Sequence, residues 1–117
     1  MSQEQHDRRV DYVEFGATDL AAIKRFYADV FGWKFTDYGP EYSGFADGRL
    51  SGGFTTERTP GRDGSLVVIY AKDLEAVERA VKGAGGTIAK PIFSFPGGRR
   101  FHFTDPSGNE LAVWSDR

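Results

Sequence analysis

The sequence predicts an α+β fold made of two βαβββ halves within a single domain, residues 1–117. Three observations carry that expectation. The stretch "VEFGATDLAAIKRFYADVFG" lies without gaps over "VVIYAKDLEAVERAVKGAGG", Val13 falling on Val67, with identities at Ala17/Ala71, Asp19/Asp73, Leu20/Leu74, Ala22/Ala76, Arg25/Arg79 and Gly32/Gly86. Each copy passes from a β-like run into an amphipathic helical run and then into three short β-like segments separated by turn residues. The length of 117 residues fits one domain, and 39% hydrophobic residues, ten of them Phe, supply the apolar surface that must offset chain entropy. Two copies of a half-domain unit are too few for a solenoid.

The first module spans residues 10–55. Its β-like run covers 10–17, and a helix follows, with Thr18 or Asp19 placed to accept from the free N–H groups of the first turn. Leu20, Ile23, Phe26, Tyr27, Val30 and Phe31 recur at helical spacing, and Gly32 provides a left-handed stop. Three strands are expected over Trp33–Tyr38, Tyr42–Ala46 and Leu50–Thr55, broken at Gly39-Pro40 and Asp47-Gly48. The segment "TERTPGRDGS", 56–65, reads as a polar linker. The second module, 66–115, opens with a run over 66–71. Its helix is capped by Asp73, striped by Leu74, Val77, Ala80, Val81 and Ala84, and ended by Gly85-Gly86. Glu75/Arg79 and Glu78/Lys82 are i,i+4 pairs on its solvated face, worth about 0.2–0.5 kcal/mol each. Strands follow at Thr87–Phe95, Arg99–Thr104 and Glu110–Ser115, with the "DPSGN" stretch before the last matching a type I turn from Asp105 to Gly108.

Composition excludes several function classes. Fifteen basic and 17 acidic residues, net charge −2, leave no basic stripe to follow a nucleic-acid backbone. No cysteine is present, which removes disulfides, thiolate metal sites and a cysteine nucleophile and fits a cytoplasmic protein. The polar start "MSQEQHDRR" has no apolar leader core, no run approaches the ~18 apolar residues of a membrane span, and His6 lies in a tail expected to fray. Gly52-Gly53, "GRDGS" and "PGGRR" lack the strand–loop–helix setting of a phosphate loop.

A duplicated βαβββ unit with "DLAAIKRFYADVFGW" in its first half and "FTDPSGNELAVW" closing its second resembles the vicinal oxygen chelate superfamily, which includes glyoxalase I, bleomycin-resistance proteins, fosfomycin-resistance enzymes and extradiol dioxygenases. The match covers about residues 10–115. It implies two curved mixed sheets around a cleft, helices on the outer faces and a homodimer. In metal-dependent relatives the ligands are a histidine on the first strand of a half and a carboxylate or histidine near its last strand. Those positions fall here on Tyr12, on Leu66 or Val67, on Ala112, and within Ser51 to Phe54, none of which makes the usual N/O ligand set. The resemblance thus implies no standard metal site and no cofactor, a nonstandard site from Tyr12, Glu14, His102 and Glu110 being the alternative. Glu110 is a carboxylate two residues too early.

Strand alternation assigns faces. Val13, Phe15 and Ala17 pack under the helix, leaving Tyr12, Glu14 and Gly16 for the cleft, and Leu66, Val68 and Tyr70 follow suit in the second half. Phe101 and Phe103 face the core, which turns Arg100, His102 and Thr104 to the cleft. The inward position of Ala112 in the family brings Glu110 and Trp114 with it. The expected pocket is aromatic-walled, with Tyr12, Tyr70, Arg100, Trp114 and Glu110 as contacts for a flat or amphipathic small molecule and Arg100 available to an anionic group. Glu14, on an otherwise apolar strand, needs a partner, with His102, Arg100 and Tyr70 as candidates. Two functions compete. One is metal-free binding of a small organic molecule. The other is a lyase, isomerase or transferase in which Glu14 or His102 is the acid–base group, with or without a nonstandard divalent metal. A structural or regulatory protein whose cleft is filled by its own side chains is the third reading.

Overall fold

In a computed structural model, which describes residues 3–117, the chain forms two four-stranded mixed sheets and two helices, after a short 3-10 turn at Gln3–His6. The first module consists of β1 (Tyr12–Gly16), α1 (Leu20–Phe31), β2 (Lys34–Asp37), β3 (Tyr42–Ala46) and β4 (Ser51–Thr55). The second consists of β5 (Val67–Tyr70), α2 (Leu74–Gly83), β6 (Thr87–Phe95), β7 (Gly98–Thr104) and β8 (Glu110–Ser115). The sheets are ordered β1-β4-β3-β2 and β5-β8-β7-β6, so each module has the same wiring: the first strand lies parallel to the last, and the others run antiparallel. Among the described residues no helix is long and apolar enough to cross a membrane.

Local chemistry explains the element ends. Asp19 and Asp73, both in extended backbone, accept from the N–H groups of Ala22 and Ala76, and Gly32 closes α1 at φ 73°. The first strand is shorter than the expected 10–17 because β4 offers no partner before Ser51, which lies opposite Tyr12, and Val10 stays 81% exposed. Trp33 is not a strand residue: its N–H donates to the Tyr27 carbonyl and its ring stacks between Tyr27 and Phe45, at 4.6 and 4.3 Å between centroids. The expected Glu75/Arg79 pairing gives way to a longer-range one. Glu75 takes the guanidinium of Arg99 on β7, whose hydrogen bonds lower the Glu75 carboxyl to about 2.

One core serves both modules. Ile23, Phe26, Tyr27, Phe45 and Phe54 from the first join Leu74, Val81, Phe101, Phe103, Leu111 and Val113 from the second. Phe26 and Phe31 of α1 each lie 5.9 Å from the Phe103 ring, so α1 packs on both sheets. Each such ring contributes about 1.5–3 kcal/mol by burial, which makes the modules interdependent.

A polar latch fixes how they dock. The "DPSGN" turn closes as expected, with Gly108 N–H donating to the Asp105 carbonyl, but the Asp105 side chain does more. It is 4% exposed and accepts from Ser107 N–H, Asn109 N–H, the Asn109 side-chain amide and, across the module boundary, the Tyr27 hydroxyl at 2.8 Å. Asn109 then donates to the Gly16 carbonyl and Ser107 accepts from Thr18 N–H. Burial pushes the Asp105 carboxyl up despite its donors, and burial followed by the Asp105 charge pushes the Tyr27 phenol up.

Candidate functional site

Alternation places side chains as the sequence predicts: Phe101, Phe103, Leu111 and Val113 face the core, and the register aligns Tyr70–Trp114–Arg100 and Val68–Ala112–His102 in two rows on the opposite face. The residues expected to line a single pocket on that face do not meet in one cluster among the described residues. They fall into three groups.

The first group lies on the β1 face. Tyr12 and Tyr42 share a 2.6 Å hydrogen bond, the Tyr42 hydroxyl donates to Glu14 at 3.0 Å, and Arg58 Nε donates to the other Glu14 oxygen at 3.1 Å. The partners expected for Glu14, His102, Arg100 and Tyr70, are thus replaced by Tyr42 and Arg58. Register puts Gly53 beside Glu14, and a Cβ at Gly53 would collide with the Tyr42 hydroxyl, so this glycine makes room for the cluster. Burial first, then the bonds to Tyr12 and Glu14, push the Tyr42 phenol far above its ordinary value.

The second group is built on β7 and β8. His102, 4% exposed, sets its Nδ1 2.8 Å from Glu110 Oε2, while Arg62 Nε donates to the other Glu110 oxygen at 2.9 Å. These contacts, His102 first and Arg62 second, hold the Glu110 carboxyl below its usual range. An ionised carboxylate only accepts, so His102 presents N–H at Nδ1. Its Nε2 is buried without a hydrogen-bond partner.

The third group is aromatic. Tyr70 meets Trp114 edge-on at 5.3 Å and donates to Asp116 at 2.7 Å, which raises its phenol above the ordinary value. Phe95 lies 6.4 Å from Trp114, and the Arg100 guanidinium sits over Phe93 and Phe95 at 5.5 and 5.9 Å. Arg100 Nε, like His102 Nε2, is buried without a partner.

Two cavities occupy the seam between the modules. One of about 220 Å³ is lined by Glu14, Gly16, Arg58, Gly61, Asn109 and Glu110 among others, so it brings the two predicted carboxylates to one space. The segment read as a plain linker roofs it: a Cβ on Gly16 would strike the backbone of Arg58 to Pro60, and Gly61 bonds both the Asn109 side chain and Glu110 N–H. The other, about 710 Å³, is walled by Val13, Phe15, Phe31, Trp33 and Phe45 from the first module and Val67, Ile69, Tyr70 and Trp114 from the second. Of the predicted contacts only Tyr70 and Trp114 reach it, while Tyr12, Arg100 and His102 line neither cavity. Sequence reasoning counted Val13 and Phe15 wholly as core. It also missed Arg58 and Arg62, whose polar setting reads as solvent-facing, and Phe93, which stands across the ladder from Arg100 after a register shift in β6.

The positions where metal-dependent relatives carry ligands do not fit a divalent ion here. Register puts Val68, rather than Leu66 or Val67, across from Ala112, and neither offers a donor atom. Tyr12 and Glu14 are held by Tyr42 and Arg58, the latter a cation in ligand range of Glu14, while His102 and Glu110 pair in a separate group. Among the described residues no three His, Asp or Glu side chains converge.

Comparison with known proteins agrees with this architecture. The profile of the Glyoxalase/Bleomycin resistance protein/Dioxygenase superfamily matches residues 9–113. The "Putative glyoxylase CFP32" of Mycobacterium bovis is 28% identical over 89% of this chain and 44% of its own length. The anthracycline biosynthesis protein DauV of Streptomyces sp. strain C5 is 30% identical over 88% of this chain and 45% of its own. The chain thus spans about half the length of the curated relatives it matches. A glyoxalase-related enzyme from Fulvimarina pelagi superposes with a TM-score of 0.80 at 20% identity, over 92% of this chain and 88% of that one. The fosfomycin resistance protein FosX from Mesorhizobium loti does so with a TM-score of 0.75 at 17% identity, over 93% and 92%.

Proposed function

The chain belongs to the Glyoxalase/Bleomycin resistance protein/Dioxygenase superfamily, and from that premise we propose that it binds a flat, largely apolar organic molecule in the cleft between its modules. The observation that carries this reading is the cleft itself: about 710 Å³, within the ~300–1,000 Å³ of small-molecule sites, with Phe15, Phe31, Trp33, Phe45, Tyr70 and Trp114 on its walls. Arg49 stands at its edge with no side-chain partner among the described residues, and a guanidinium there suits an anionic substituent on the ligand. The name of DauV points the same way, since anthracyclines are fused-ring compounds.

Both tryptophans of the chain line the cleft, so binding is read directly from their fluorescence. With anthraquinone-2-sulfonate as probe, saturable quenching is expected, and Val67→Phe, which narrows the cleft, weakens it at least about tenfold. Absence of saturable quenching, or quenching indifferent to Val67→Phe and Arg49→Met alike, overturns the reading.

A second reading is a lyase, isomerase or transferase, favoured by the His102–Glu110 pair. Glu110 fixes the tautomer that leaves Nε2 free to take a proton, whereas both Glu14 oxygens already accept bonds. Deuterium uptake from D2O into a supplied carbon acid, abolished in His102→Gln, is its signature, and equal uptake in the variant refutes it. We also propose a homodimer in the cytoplasm. Exposed Val68, Tyr70 and Phe93 on one sheet face and a chain without cysteine support this, and sedimentation at a single chain mass contradicts the dimer.

A further inference from the structure

We infer that Asp63–Gly64, in the segment that roofs the seam, is a self-modification site. Its aspartate isomerises to isoaspartate through a cyclic imide, while the fold protects the same dipeptide at Asp47–Gly48. Asp-Gly occurs at these two places in the sequence and at no other. Both pairs are exposed, and both glycines take a positive φ, 96° at Gly48 and 90° at Gly64. Glycine has no side chain to screen its amide nitrogen, so by sequence the two pairs stand equal. What separates them is what each carboxylate touches.

The reaction needs a carboxyl group free to swing back onto the next amide. The glycine nitrogen attacks Cγ of the aspartate and forms an N–Cγ bond, and the carboxyl O–H leaves as water with the amide hydrogen. Water then opens the five-membered imide. Addition at the former side-chain carbonyl breaks the new bond and restores aspartate. Addition at the main-chain carbonyl breaks the original peptide bond, so the chain now runs through Cγ and the old carbonyl carbon becomes a free carboxylate. One water leaves and one enters, so mass and charge return to their starting values and no oxidant or cofactor is consumed.

Asp47 is held out of this reaction. Its Oδ1 accepts from Arg49 N–H at 2.8 Å and Leu50 N–H at 2.6 Å, and its own N–H donates to the Leu50 carbonyl at 3.1 Å. This turn aims the carboxyl past Gly48 at the two amides beyond it, and both bonds must break before Cγ meets the Gly48 nitrogen. Asp63 has no hydrogen bond or ion pair among the described residues, and neither does the Gly64 N–H. Strand pairing resumes only at Val67, so no ladder bond fixes the backbone around the pair.

The product lengthens the main chain by one methylene between Arg62 and Gly64. Immediately upstream lie the contacts that hold the roof down. Gly61 N–H donates to Asn109 Oδ1 at 3.2 Å, the Gly61 carbonyl accepts from Glu110 N–H at 3.3 Å, and Arg62 Nε donates to Glu110 at 2.9 Å. Asp63 itself lines the 220 Å³ cavity with Glu14 and Glu110. Isomerisation therefore loosens the lid of that cavity.

The experiment holds the folded protein for weeks in warm neutral buffer made with 18O-water. Digestion after lysine releases residues 35–72 as one peptide that carries both sites, and electron-transfer fragmentation distinguishes isoaspartate from aspartate at each. Isoaspartate labelled with 18O is expected at position 63 at least about tenfold faster than at 47. Asp63→Glu, whose imide would need a six-membered ring, stays unmodified there, and in guanidinium chloride the two aspartates of the parent react at similar rates. In the aged protein the Glu110 amide exchanges with D2O severalfold faster than in fresh protein. The proposal fails if the folded chain gains no more isoaspartate at 63 than at 47, or if the preference for 63 persists in the denatured chain. Unchanged exchange at Glu110 overturns the loosening of the roof. Asp63 does not line the 710 Å³ cleft, so none of these outcomes bears on binding there.

Discussion

The two sheets carry the same ladder and opposite chemistry. On the first, Glu14 sits beside Gly53, which sits beside Gly44; on the second, the same register positions are Val68, Ala112 and His102. Around Glu14 the polar groups satisfy one another, Tyr12 with Tyr42, Tyr42 and Arg58 with the carboxylate, and Gly53 leaves the space that the Tyr42 ring fills. Around His102 they do so only in part: Glu110 is shared by His102 Nδ1 and Arg62, while Arg100 Nε and His102 Nε2 are buried without partners. A backbone plan used twice has therefore produced one face whose polar groups are paired and one that leaves two buried nitrogens unpaired. The chemistry of each face follows the side chains that fill the ladder, and the twofold symmetry stops at the backbone.

The largest effect on this comparison comes from undoing the latch that holds the two halves together. Asp105→Ala leaves the Tyr27 hydroxyl and the Asn109 amide buried without an acceptor and is expected to cost about 3 kcal/mol by urea unfolding. An unchanged midpoint would mean that the shared aromatic core alone docks the modules.

The open face comes next. His102→Ala is expected to cost about 2 kcal/mol from the space it vacates, and it changes the acid side of the stability profile. Glu110 lies below its ordinary range in the folded state, so its contribution is complete above that range and disappears as pH falls through the lowered value. Asp105 has the opposite sign: raised by burial, it contributes fully below the ordinary aspartate range and progressively less as pH rises through its raised value. In His102→Ala the acid-side loss due to Glu110 flattens while the Asp105 component persists. Unfolding midpoints across acidic pH decide the matter, and parallel profiles for parent and variant would show that His102 does not tune Glu110.

The smallest effect belongs to the closed face. Glu14→Gln keeps the acceptor for Tyr42 and gives up the ion pair with a largely exposed Arg58, so a loss within about 1 kcal/mol, shrinking in high salt, is expected. A loss several times larger would mark the Tyr12–Tyr42–Glu14–Arg58 cluster as a stability centre of the same rank as the latch.

Much of this architecture is legible in the sequence. The capping aspartates, the glycine after α1, the internal match between the halves and the alternation along β7 and β8 are local signals, set by backbone hydrogen bonding and side-chain periodicity within a few residues. The pairing of His102 with Glu110 was within reach because both residues lie on the predicted cleft face, one on each of two neighbouring strands. The partners of Glu14 were not. Tyr42 belongs to another strand and Arg58 to a polar linker, and nothing in either stretch signals that the linker folds back over the seam.

The sequence by itself determined the two βαβββ modules, the faces of their strands and the lack of ligand-type residues where relatives hold a metal. Tertiary structure alone decided that Val13 and Phe15 wall a cleft, that Asp105 reaches Tyr27 across the module boundary, and that the Phe93 ring lies against Arg100 and His102. The physical reason is range. Periodicity and capping are written into consecutive residues, whereas a cleft, a latch or a cover depends on where two surfaces distant in the chain come to rest against each other.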